Sequence, residues 1–139
     1  MSNINVGRVV LGGVVAGVII DVIDFVLNGV ILADQWENVT AAMNLPAIGT
    51  TQIIWINVFG LLLGIVAVWT YAAIRPRFGA GPKTAVFAAL LTWVTAGFIC
   101  VAYPTIMSMF PMTMAVTMVG VGLVEIIAAT LAGAWLYKE

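Results

Sequence analysis

Histidine is missing from this 139-residue chain, and cysteine occurs once, at Cys100. Without histidine the usual zinc, haem and Cys/His catalytic arrangements are not available, and one cysteine excludes an intrachain disulfide. Charge is the next scarcity. Five Lys and Arg and six Asp and Glu make up 8% of the chain, where a soluble domain carries about 25%. There is no basic patch and no stacking platform, so nucleic acid is excluded as a partner. No phosphate-cradling glycine loop, metal motif or nucleophile elbow occurs, and Ser108 has no histidine to activate it. No enzymatic activity, cofactor or metal is expected.

What the chain has in abundance is apolar sequence, 63% of all residues. Crossing a bilayer takes about 20 apolar residues in a helix. Four runs meet that length, at about 8–32, 53–74, 83–102 and 112–137. Turn residues separate them: Pro46 and Gly49, then Pro76, Gly79, Gly81 and Pro82, then Pro104 and Pro111. The expectation is an all-α polytopic membrane protein, one transmembrane domain over 1–139 folded as an antiparallel four-helix bundle. Arg8, Arg75, Arg77, Lys83 and Lys138 all fall at the termini or in the second loop, whereas Asp34 and Glu37 fall in the first. The positive-inside rule then makes both termini cytoplasmic, in a plasma (inner) membrane.

The first loop carries its own pattern. Asp34 and Glu37 are spaced as a capping box, and Trp36, Val39 and Met43 recur at helical spacing. A short amphipathic helix on the outer surface is predicted, with Trp36 at headgroup level. Trp55, Trp69, Trp135, Tyr71, Tyr103 and Tyr137 lie toward span ends, where aromatic belts are expected, and Trp93 lies deeper.

Three carboxylates interrupt the apolar runs: Asp21, Asp24 and Glu125. An ionised carboxylate in hydrocarbon costs roughly 3 kcal/mol on insertion scales and more in other estimates. No Lys or Arg lies at their depth. In the first span Gly13, Gly17, Asp21, Asp24 and Asn28 are spaced by three or four and share a face. The second span offers Asn57, Gly60 and Gly64, the fourth Met118, Gly122 and Glu125, and the third Ala88, Thr92 and Thr95. Gly13, Gly17, Gly60, Gly64 and Gly122 read as helix-packing positions, since a small residue lets another backbone approach. At 1.5 Å per residue, Asp21 and Asp24 lie about 20 and 24 Å from Arg8, and Glu125 lies about 18 Å from Tyr137. Asn57 lies about 26 Å from Ile74, and Thr95 about 18 Å from Lys83. These depths predict one polar cluster just beyond the midplane, made of Asp21, Asp24, Asn28, Asn57, Thr95 and Glu125.

Three functions fit such a cluster. As interhelical glue it belongs to an assembly or accessory subunit, either a homo-oligomer or one member of a larger membrane complex. As an ion site it serves proton- or cation-coupled transport through Asp21, Asp24 and Glu125. As a polar contact it holds the head of a lipophilic ligand, such as a quinone, lipid or pigment. The first is the leading expectation. Arg75, Arg77 and Lys83 form a topology-setting turn that can also meet anionic lipid headgroups.

The stretch 71–85, with its Arg75-Pro76-Arg77-Phe78-Gly79-Ala80-Gly81-Pro82-Lys83 turn, resembles small four-span bacterial integral membrane proteins without an assigned function. So do the glycine-rich, Asp-bearing first span and the ending from Glu125 to Tyr137. The resemblance covers nearly the whole chain. It implies the four-span topology and no activity.

Overall fold

The computed structural model describes residues 4–138. Four helices are long and apolar enough to cross a membrane: Val6–Ile31, Thr50–Phe78, Pro82–Ile106 and Met112–Leu136. Twenty-five residues of helix reach about 38 Å, enough for a hydrocarbon core of about 30 Å. The first span is helix α1 (Val6–Val26) followed by a π-helical turn, Leu27–Ile31. Helix α2 (Ala33–Ala42) lies in the first loop, and α3 (Thr50–Phe78) is the second span. The third span is α4 (Pro82–Thr92), a π-helical segment Trp93–Phe98, and α5 (Ile99–Ile106). Helix α6 (Met112–Leu136) is the fourth.

Local chemistry sets most of these ends. The Asn5 side chain accepts the Arg8 N–H at 3.1 Å and caps α1. Gly79 and Gly81, at φ +87° and +137°, make the turn that no side-chain-bearing residue adopts easily, and Pro82 then opens α4. Two expectations shift. Pro104 does not end the third span, which runs on to Ile106. The Asp34–Glu37 capping box does not form, because α2 begins at Ala33 with Leu32 as its N-cap. Asp34 instead sits in the first turn, where its charge favours the helix dipole.

The first span packs against the second and fourth, and the third closes the ring against the same two. Glycine makes the closest contacts. A methyl group on Gly17 would stand 2.5 Å from Leu61 Cα, one on Gly13 2.5 Å from Ile65 Cα, and one on Gly64 against the backbone of Gly13 and Gly17. Gly12 and Gly133 press together in the same way between the first and fourth spans. The surrounding core is rich in alanine, including Ala16, Ala67, Ala88, Ala89 and Ala129.

Both ends of the bundle are closed by side chains. At one end Tyr71 and Tyr137 meet edge to face, 6.1 Å between centroids, with the Arg75 guanidinium 5.4 Å from the Tyr137 ring. Tyr137 also accepts the Asn5 N–H, and Tyr71 the Gly81 N–H, both at 3.3 Å. Both termini and the second loop therefore share this end. Tyr71 and Tyr137 are buried, not belt residues, whereas Tyr103 and Trp135 are exposed. At the other end α2 packs Val39 onto Leu27, Leu32 and Met114. Trp36 is half-buried and meets Phe110 edge to face at 5.5 Å, so it faces the bundle and not the surface.

Candidate functional site

The half of the bundle away from the tyrosine-closed end holds a cavity. Its volume is about 160 Å³, and it is lined from all four spans: Asp24, Leu27 and Asn28 from the first, Leu63 from the second, Thr92, Trp93 and Gly97 among others from the third, and Met118, Gly122 and Glu125 among others from the fourth. The two π-helical segments both border it, through Leu27 and Asn28 on one side and Trp93 and Gly97 on the other. Such interruptions of α geometry recur at functional sites.

Glu125 is buried, at 6% exposure, and its Oε2 has no hydrogen-bond partner. Asp24 is half-buried and accepts the Asn28 amide on Oδ1 at 3.0 Å. Asn28 in turn accepts the Trp36 indole N–H at 3.0 Å, which ties the cavity to α2. Thr92 is buried and donates to the Ala88 carbonyl at 2.9 Å. The Trp93 N–H donates to the Val119 carbonyl at 3.1 Å, joining the third and fourth spans. No Lys or Arg lines the cavity. Among the described residues, no group of three His, Cys, Asp or Glu side chains is placed to hold a metal ion.

Of the six residues expected to cluster, Asp24, Asn28 and Glu125 come together. Asp21 does not line the cavity. Its carboxylate lies against Gly60, in the notch left by that residue's missing side chain. Asn57 and Thr95 are exposed and turn away from the cavity. The Asn57 amide donates to Ile53 O at 2.7 Å, and the Thr95 hydroxyl is 2.9 Å from Leu91 O, each on its own helix. Gly122, expected to pack against a neighbouring helix, has nothing within 4 Å of where a side chain would begin and opens onto the cavity. Thr92 takes the place expected of Thr95. Comparison with protein-family models, curated proteins and solved structures finds no match for this chain.

At the other end Arg75 is half-buried beside Tyr137, while Arg77 and Lys83 are exposed. The three expected cations are thus divided between a packing role and the surface.

The arrangement concentrates acceptor oxygens in a protein-lined space between apolar helices. Its chemistry is that of a positive charge: a proton on a carboxylate, or a cation beside one.

Proposed function

We propose that this chain is a proton- or cation-coupled carrier in a bacterial plasma membrane, with Asp24 and Glu125 as the groups that take up the ion. The observation that carries the reading is Glu125 Oε2, buried without a partner beside a cavity that holds a second carboxylate and no cationic side chain. An ionised carboxylate there costs several kcal/mol, so a positive charge has to accompany it. A carboxyl serving as interhelical glue takes hydrogen bonds from a neighbouring helix. Among the described residues neither Asp24 nor Glu125 has one, since Asp24 is bonded only within its own span. That weighs against the glue reading.

The positive-inside rule orients the molecule. The end where both termini and the second loop meet carries Arg8, Arg75, Arg77, Lys83 and Lys138, so it faces the cytoplasm and the cavity lies toward the outer side. A bacterial inner membrane remains the location expected from the sequence, in keeping with the four apolar helices.

Purified protein in liposomes, loaded with a pH- or cation-sensitive dye, tests the reading. Wild type is expected to pass protons or monovalent cations down a gradient. Asp24→Asn and Glu125→Gln are expected to insert normally and lose that flux. A wild type as tight as protein-free liposomes overturns the proposal.

One observation favours a second reading, association with another copy or with other membrane subunits. Residues 50–59 of α3 are exposed on every face, Asn57 among them, and a polar amide in lipid is a natural point of contact. Mass measurement in mild detergent distinguishes a monomer from a stoichiometric complex.

A further inference from the structure

We propose that the cavity takes a small alkylammonium ion, with N–H donors at one end and a short hydrocarbon body. This rests on the cation reading above and names its substrate class.

The hydrogen-bonding capacity of the lining is one-sided. Every side-chain donor is already engaged: Trp93 with Val119 O, the Asn28 amide with Asp24, and Thr92 with Ala88 O. The unclaimed groups are both Glu125 oxygens and Asp24 Oδ2, all acceptors. Apart from a carboxyl O–H, the lining offers no free donor to an anion or a neutral acceptor. A ligand rich in N–H finds three oxygens, two of them on a side chain only 6% exposed.

Size narrows the class. A single water needs roughly 10–15 Å³ of such space, and an apolar cavity of about 150 Å³ in another protein holds benzene. The 160 Å³ here is far more than a bare ion fills and matches a molecule of about six heavy atoms. The remaining wall suits an alkyl body: Leu27, Leu63, Met118 and Ile126 are hydrocarbon or thioether. Trp93, with its N–H engaged, offers ring carbon, which attracts a cation.

Charge fixes the accompanying proton. Asp24 and Glu125 are the titratable groups facing the cavity, with Asp21 nearby on Gly60 and no cation in the lining. A monocation neutralises one carboxylate. When both begin protonated, binding of R–NH3+ expels one H+ from a carboxyl O–H and leaves the other proton in place, so the net charge of the site does not change.

The test is calorimetry on the full-length protein in detergent, titrated with n-butylammonium, tetramethylammonium, n-butanol and sodium chloride, with a pH dye reporting proton release. The expected result is saturable n-butylammonium binding with proton release, about tenfold tighter than tetramethylammonium, which has no N–H. No binding is expected for n-butanol, and Glu125→Gln should weaken n-butylammonium by about tenfold or more. Because the wild-type comparison among probes needs no variant, misfolding of Glu125→Gln does not decide the matter. n-Butylammonium bound no better than tetramethylammonium or n-butanol overturns the substrate class. If that happens while sodium or proton uptake still depends on Glu125, the cation reading survives. If no probe binds and proton uptake does not depend on Glu125, both fall.

Discussion

The Trp36 indole N–H donates to Asn28 Oδ1 at 3.0 Å, and the same Asn28 amide donates to Asp24 Oδ1 at 3.0 Å. The first bond fixes which way the amide points, and the second fixes the Asp24 carboxylate on the cavity wall. Trp36→Phe keeps a ring against Phe110 but removes the donor. It should lower stability by about 1 kcal/mol and weaken cation binding several-fold. A thermal melt together with a binding titration separates the two effects, and unchanged affinity would detach α2 from the site.

Glu125 offers a sharper contrast between site and scaffold. A buried carboxyl with an unpartnered oxygen is a local loss that the fold tolerates. Glu125→Leu should therefore leave the melting temperature unchanged or raise it, and it should abolish cation uptake. A structural carboxyl would give the opposite result: a clear drop in melting temperature.

The glycines should divide into two classes. A methyl group on Gly64 meets the backbone of Gly13 and Gly17, and one on Gly17 meets Leu61 Cα. Gly64→Ala and Gly17→Ala should each cost roughly 1–3 kcal/mol by forcing the first and second spans apart. Gly122→Ala meets nothing within 4 Å and should stay within about 0.5 kcal/mol of wild type. It does narrow the cavity, so weaker ligand binding at unchanged stability is its expected result. Denaturant titration in detergent reads the first quantity and calorimetry the second.

Thr95→Val and Asn57→Leu should leave cation binding as it is, because neither side chain lines the cavity. Thr95→Val should change stability by less than about 0.5 kcal/mol. Loss of flux in either variant would show that the working site extends to the outer face of the bundle.

The four spans and the inward face of the first were legible because they rest on periodicity, which survives folding. Asp24, Asn28 and Glu125 met as their faces and depths required. Thr95 failed for a reason no spacing rule contains. Counting three residues on from Thr92 keeps an α-helical residue on one face, but the π-helical segment beginning at Trp93 rotates the chain and turns Thr95 outward. Asn57 failed because residues 50–59 of α3 are exposed and bury no face against the bundle. Tyr71 and Tyr137 lie at span ends as belt residues do, and only the crossing of the chain termini there shows them to be interior. The cavity itself left no trace in the sequence, since a void is the absence of side chains that would otherwise fill it.

Residues 50–59 of α3 lie beyond the glycine seam of Gly60 and Gly64 and touch no other part of the chain closely enough to be shielded. In hydrocarbon such a segment gives up little buried surface when it swings about that seam. It is thus the part of the second span with the least packing to hold it, whereas the tyrosine-closed end is tied by ring contacts and hydrogen bonds. Leu63, within that seam, forms the second span's side of the cavity wall, so a tilt there would change the width of the cavity beside it. Spin labels at Ile54 and Val116 should report a broader distance distribution than labels at Ala73 and Lys138, and a bound ammonium should narrow it.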